Sequence, residues 1–246
     1  MQVTLLGTGS ALPSPERVQS GTLVEGQDRR LLIDCGSGVV HRLSQAGYAS
    51  CQIDTVLLTH LHLDHIADLP TLLKARILSN CPSLTVVGPP GTRAVCNHLF
   101  AVDDLSERAE VTVIEQCNTD EPFQIVDFSI ELVETVHSKQ SFAYRFGDQF
   151  VVSGDTAPAQ RVFELADGVH TLIHECAYTD AIETATHTTP SGILAGLDAI
   201  AVDRVVLTHL FPQAEERVNE IRSAVRSVRE TEVLIATDGM ALGFPN

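Results

Sequence analysis

Thr59-His60-Leu61-His62-Leu63-Asp64-His65 places three imidazoles and a carboxylate within six residues. Neutral imidazole nitrogen and carboxylate oxygen are the donors that Zn²⁺ accepts, at about 2.0–2.2 Å. The run follows an apolar stretch, Ile53-Asp54-Thr55-Val56-Leu57-Leu58, that reads as a strand. His60 and His62 alternate around one extended residue, so both rings can leave the strand end on the same side. Asp64 and His65 follow as the chain turns into a helix and can face a second point nearby. One segment can thus supply two donors to each of two adjacent cations, a two-metal arrangement suited to hydrolysis.

Four further apolar runs end on donor-type residues. Glu131 to Val136 leads to His137, Phe150 to Ser153 leads through Gly154 to Asp155, Thr171 to Ile173 leads to His174 and Glu175, and Arg204 to Thr208 leads to His209. Side chains at the carboxyl ends of strands converge on one rim of a sheet, where α/β proteins build their sites. His187 lies in a Thr-rich loop, Thr184 to Thr189, just before Pro190. His41, His98 and His170 read as helix-face or loop residues.

With these pieces in order, the chain resembles the metallo-β-lactamase superfamily, and within it the ribonuclease Z-like branch. The matching motifs run almost end to end: Leu5 to Ser10, Asp34-Cys35-Gly36, His60 to His65, Val136-His137-Ser138, Ser153 to Thr156, His174-Glu175, His187-Thr188-Thr189 and Leu207-Thr208-His209. The resemblance implies a four-layer αββα sandwich, two mixed sheets flanked by helices. It implies one metal on His60, His62 and His137, another on Asp64, His65 and His209, and Asp155 bridging both. Two Zn²⁺ suit these donors, and Mn²⁺ or Fe also occupy mixed His/carboxylate sites. A hydroxide between the metals would be the nucleophile, with Asp64 orienting or deprotonating the water. His187, oriented by Glu175, would protonate the departing oxygen as a general acid. The resemblance also implies a homodimer.

Two departures bear on substrate. The family usually has Gly three residues after the last His of its first motif, and Asp68 stands there; it reads as a helix-face residue with no part in catalysis. Residues 138–154, only 17 positions, separate His137 from Asp155. Short ribonuclease Z enzymes carry there a long arm that grips the tRNA elbow. Seventeen residues are filled by one hairpin, Ser141 to Phe146, a Gly147-Asp148 turn and Gln149 to Val152. The expected substrate is therefore a small or single-stranded phosphodiester, not folded tRNA. An arylsulfatase-like or lactonase-like esterase on the same site, a tRNA 3′-end endoribonuclease with its grip elsewhere, and a non-enzymatic metal-binding domain are the alternatives.

The elements that must position these residues are strands at the amino end, then strands alternating with helices, which suggests helices covering sheets. Helices are predicted over Ser37 to Gln45, Ile66 to Leu78, Thr92 to Val102, Pro190 to Val202 and Gln213 to Val228. Val56-Leu57-Leu58 and Val205-Val206-Leu207 are continuously apolar, as strands buried on both faces are. Gly7-Thr8-Gly9 lacks the spacing and Lys of a phosphate loop and reads as a tight turn. No linker-like or low-complexity stretch divides residues 1–246, so one domain is expected, and 44% hydrophobic content is ample for its core.

The net charge of −16, with 16 basic residues in no run, opposes a general nucleic-acid surface. Arg217, Arg222, Arg226 and Arg229 are interleaved with Glu215, Glu216 and Glu220, the pattern of a solvated, ion-paired face. The six cysteines, Cys35, Cys51, Cys81, Cys96, Cys117 and Cys176, show no framework spacing and read mostly as small core residues. Met1 to Gly7 already reads as a strand, without a signal peptide, and no stretch approaches the roughly 20 apolar residues of a membrane span. A cytoplasmic setting is the expectation.

Overall fold

The computed structural model describes residues 1–117, 121–226 and 231–244. Three antiparallel strands open the chain: β1 (Gln2–Gly7), β2 (Gly21–Glu25) and β3 (Arg30–Ile33). Parallel strands β4 (Thr55–Leu57), β5 (Ser83–Gly88) and β6 (Glu110–Glu115) continue the sheet. Between them run α1 (Val39–Gln45), α2 (Leu63–Ile66), α3 (Leu69–Leu78) and α4 (Thr92–Phe100). The scheme then repeats. Antiparallel β7 (Phe123–Ile125), β8 (Phe128–Glu134), β9 (Phe142–Phe146) and β10 (Phe150–Val152) lead into parallel β11 (Thr171–Glu175), β12 (Arg204–Thr208) and β13 (Glu232–Ile235). Helices α5 (Gln160–Ala166), α6 (Pro190–Leu197), α7 (Pro212–Glu215) and α8 (Val218–Val225) form the crossovers, and β14 (Met240–Gly243) returns to pair with β1.

The result is two mixed seven-stranded sheets, ordered β14-β1-β2-β3-β4-β5-β6 and β13-β12-β11-β10-β9-β8-β7. Three apolar layers hold them. Val3, Leu5, Ile33, Leu57, Phe142, Tyr144, Phe150, Ile173 and Val206 meet between the sheets. Leu32, Val56 and Leu58 face the other way, onto Leu43 of α1, Leu72 of α3 and Phe100 of α4. Val151, Leu172 and Val205 pack on Phe163 of α5, Ile193 of α6 and Ile221 of α8. β4 and the middle of β12 are buried on both faces, as their unbroken apolar runs require. This is the αββα sandwich, two mixed sheets flanked by helices. The sheets are also tied at the rim: the Tyr144 hydroxyl donates to the Leu58 carbonyl at 2.8 Å, and the Phe142 N–H to the Thr59 carbonyl at 3.0 Å.

The helices differ in detail from the periodicity. The span Ile66 to Leu78 is two helices, because Asp68 leaves helical geometry to donate its N–H to the Cys35 carbonyl and Pro70 then restarts the helix without an N–H. The Asp68 carboxylate turns to α1, where it accepts the Val40 N–H at 3.0 Å. Burial pushes that carboxyl up, against the pull of the Val40, Gly38 and Val39 amides. The span Gln213 to Val228 is likewise two helices, broken at Arg217, and residues 227 and 228, like Arg229, lie outside the described residues. The helix from Pro190 ends at Leu197, that from Thr92 at Phe100, and α5 was not anticipated.

Cys51 and Cys81 are not core thiols: they form a disulfide across 30 residues, with Cα atoms 5.7 Å apart. The cause is non-local. The end of α3 folds back on the turn at Ser50–Gln52, where buried Arg76 donates to the Ser50 and Ile53 carbonyls. Cys35, Cys96 and Cys176 are buried, as expected of small core residues, whereas Cys117 is exposed. Among the described residues no helix is long and apolar enough to cross a membrane.

Candidate metal centre

His60, His62, Asp64, His65, His137, Asp155 and His209, the ligand candidates of the sequence reading, reach one rim with Glu175. His60 follows β4, His137 follows β8, Asp155 follows β10, Glu175 ends β11 and His209 follows β12. Because β8 runs antiparallel to β9 and β9 to β10, the ends of β8 and β10 emerge together. His62 is extended, at φ −76° and ψ 153°, and α2 starts immediately after it, so Asp64 and His65 swing to a different point.

Two donor groups result. In the first, His60 Nε2 and His137 Nε2 lie 2.9 and 3.0 Å from His62 Nδ1, and 3.7 and 3.8 Å from Asp155 Oδ2. In the second, His209 Nε2 lies 3.4 Å from His65 Nε2 and 3.2 Å from Asp64 Oδ2. Asp155 reaches this group too, with Oδ1 3.5 Å from His65 Nε2 and Oδ2 3.4 Å from His209 Nε2. Tetrahedral bonds of about 2.0–2.2 Å would put neighbouring donors roughly 3.3–3.6 Å apart. The observed separations straddle that edge length, so each group fits one cation and Asp155 is placed between both. The side chains of His60, Asp64, His65, Asp155 and His209 are buried and that of His137 is 2% exposed, while His62 and His187 are half-buried. The centre is therefore open to solvent on the side of His62 and His187.

The rings are aimed by partners behind them. Asp34 Oδ2 lies 2.7 Å from His65 Nδ1, and the same carboxylate accepts the Thr59 N–H and hydroxyl. With its proton given to Asp34, the Thr59 oxygen can accept from His60 Nδ1 at 3.1 Å, leaving His60 Nε2 as a donor to a metal. His137 Nδ1 donates to the Thr186 carbonyl at 2.8 Å. Such outer partners fix tautomer and ring orientation. His209 Nδ1 is buried without a partner; His209, His65 and Asp155 line a cavity of about 20 Å³ together with Ser20, Ser153 and Thr208. Asp34 and His209 both hold positive φ, 60° and 57°; Asp34 is kept there by its N–H bond to the Leu57 carbonyl and by its carboxylate contacts to Thr59 and His65. Gly36 lets the Asp34 loop reach α2, since a Cβ there would lie 2.0 Å from the Asp64 carbonyl oxygen.

Charge follows the same geometry. Burial, then the neighbouring His65, holds His60 well below the ordinary imidazole range. Burial alone would raise the Asp155 carboxyl, but His209, His65 and His60 hold it well below the usual carboxylate range.

His187 stands over the pair. Its ring is 5.1 Å from that of His137 and 5.6 Å from that of His209, and one of its nitrogens lies within 4.8 Å of donor atoms of Asp155 and His209. Glu175 Oε1 lies 3.0 Å from His187 Nδ1. The Glu175 carboxylate is itself fixed by the amides of Thr156, Thr188 and Ala177. His174 faces away, its Nδ1 2.6 Å from the Glu175 carbonyl oxygen and its ring stacked on Phe163.

Sequence reasoning assigned no role to Asp34 or Thr59, although Asp34-Cys35-Gly36 at a strand end was a visible signal. It also passed over Tyr178 and Phe211, whose rings flank His187. A larger cavity of about 480 Å³, between α5 and α6, is lined by Phe163, Gly192 and Gly196 and contains no imidazole.

An αββα sandwich carrying paired His/Asp groups on its strand-end rim defines a class, the metal-dependent hydrolases of the metallo-β-lactamase fold. Residues 29–210 match the family described as the beta-lactamase superfamily domain. Ribonuclease Z of Mycobacterium avium (strain 104) is 33% identical over 244 residues, covering 86% of each chain. The metallo-β-lactamase fold protein YhfI from Bacillus subtilis superposes with a TM-score of 0.82 at 25% identity over 98% of both chains. Human tRNase Z, short form, superposes with a TM-score of 0.80 at 24% identity over 100% of both. The chain belongs to the metallo-β-lactamase superfamily, in its ribonuclease Z-like branch.

Proposed function

We propose that this chain is a two-metal phosphodiesterase of the ribonuclease Z-like type whose general acid is His187. The observation that carries this reading is the 3.0 Å contact between Glu175 Oε1 and His187 Nδ1, which holds the imidazole against Asp155 and His209. One ion would be held by His60, His62, His137 and Asp155, the other by Asp64, His65, His209 and Asp155, with zinc suited to both sets and manganese or iron as alternatives. When bound, such ions supply an activated water and positive charge for the non-bridging oxygens.

The remaining chemistry belongs to side chains. Asp64, whose Oδ2 lies 3.2 Å from His209 Nε2, would accept a proton from the attacking water. As the water oxygen bonds to phosphorus, the bond to the departing oxygen breaks, and His187 delivers its proton to that oxygen. Glu175 stabilises the protonated ring and fixes its direction. A group that protonates a poor leaving alkoxide favours phosphate or sulfate over a lactone, whose leaving oxygen stays tethered.

The short connection between His137 and Asp155 argues for a small or single-stranded substrate. Residues 138–154 hold only β9, the turn at Gly147 and β10, with no arm to seat a folded tRNA at that point. A panel on zinc-loaded protein tests the reading: an aryl phosphodiester, an aryl sulfate, a lactone and a precursor tRNA. Fastest turnover of the phosphodiester is expected, and preferred cleavage of any of the others overturns it.

A further inference from the structure

Two aromatic side chains border His187 without donating to a metal or moving a proton. Tyr178 follows β11 by three residues and Phe211 follows His209 by two. Their rings stack at 4.7 Å between centroids, with 28° between planes. Tyr178 meets the His187 ring at 5.7 Å and 81°, and Phe211 meets it at 5.9 Å and 68°. Phe211 also lies 6.0 Å from the His209 ring. The backbone holds the pair in place: Phe211 donates its N–H to the Ala177 carbonyl at 3.1 Å, and Cys176 donates to that of Thr208 at 2.9 Å.

Position decides what such a pair touches. The general acid delivers its proton to the departing oxygen, so the atoms attached to that oxygen lie beside His187 and against the rings that flank it. Both rings are only half-buried, unlike Phe142 and Phe150 of the inter-sheet core, and so keep apolar surface open beside a polar reaction centre. A flat π-surface of this kind is best covered by another flat ring, at about 3–4 Å between planes and with the stacking gain that every aryl group or base provides.

We propose that Tyr178 and Phe211 form a stacking subsite for a planar aromatic group on the leaving side of the scissile ester, which makes the substrates phosphodiesters whose departing alcohol carries an aryl ring or a nucleobase. The substrate class and the placement on the leaving side rest on the phosphodiesterase reading; the affinity of the Tyr178–Phe211 pair for a planar ring does not.

The test uses zinc-loaded protein and two pairs of probes. Methyl benzyl phosphate and methyl cyclohexylmethyl phosphate release alcohols of similar acidity and differ in planarity. Benzylphosphonate and cyclohexylmethylphosphonate report the same preference by calorimetry, without turnover. The wild type is expected to favour the benzyl member of each pair by about tenfold. Tyr178→Leu and Phe211→Leu, checked for folding by thermal melts, are expected to bring the ratio to near one, and Tyr178→Phe to keep it. Preference for uridine 5′-monophosphate over ribose 5-phosphate marks the ring as a nucleobase; the benzyl preference alone marks it as a simple aryl group. If neither ester is cleaved but the phosphonate preference is present and lost in the Leu variants, the subsite stands and the phosphodiesterase reading falls. Equal phosphonate affinities in the wild type, or a ratio unmoved by the Leu variants, overturn the subsite and leave the pair as a wall for His187.

Discussion

Asp34 Oδ2 sits 2.7 Å from His65 Nδ1, so a carboxylate at the end of β3 governs an imidazole in α2. The same carboxylate holds Thr59, and Thr59 holds His60. One buried acid thus aims a ring in each of the two donor groups. Asp34→Asn keeps the shape but weakens the charge behind His65. Metal affinity, measured by competition with a chromophoric chelator, is expected to fall about 10–100-fold for at least one ion. Unchanged affinity for both would show that Asp34 serves the fold alone.

Asp155 contacts both groups, whereas His62 belongs to one. Asp155→Ala is expected to abolish hydrolysis and compromise both ions, and His62→Ala to abolish hydrolysis with loss of one. Metal content by elemental analysis beside the rate reads this directly. A fully active His62→Ala protein retaining two ions would refute the assignment.

His187 is expected to matter in proportion to how badly the leaving group needs a proton. His187→Ala should slow alkyl phosphodiesters by about 10²–10⁴-fold and activated aryl esters far less. Glu175→Gln should show the same selectivity in weaker form, since it leaves the proton donor but loosens its hold. An equal loss on both ester types would remove the acid role.

Stripping the metals should destabilise the protein as well as silence it. An ion bound only by the folded state adds about 2.7 kcal/mol when present at a hundred times its dissociation constant. Chelator treatment is expected to lower the melting temperature, and zinc to restore it. A metal-free sample of unchanged stability and full activity would dispose of the metal centre altogether.

Cys51 and Cys81 close a 30-residue loop around β4, the strand that delivers His60. A cross-link of that length stabilises by about 2–4 kcal/mol through restriction of the unfolded chain. Cys51→Ser is expected to lower the melting temperature under oxidising conditions only, so the difference from wild type should vanish in reductant. A difference that persists in reductant would assign the effect to packing.

Much of the centre was legible in the amino-acid order. His60 to His65 is one local segment, and strand alternation followed by a helix turn dictates where its four donors point. His137, Asp155, Glu175 and His209 each end an apolar run, and the strand-end rule brings such residues to one rim. The αββα layering was legible from the resemblance, and the alternation of strands and helices pointed the same way. Local patterns say nothing, however, about distances between segments far apart in the chain. The reach of Asp34 to His65, the choice of Nδ1 by His62, the Cys51–Cys81 bond, the Asp68 carboxylate on α1 and the Tyr178–Phe211 stack all arise where separate elements pack. Each depends on sheet register and helix placement, quantities set by the collective burial of three apolar layers and carried by no single stretch of residues.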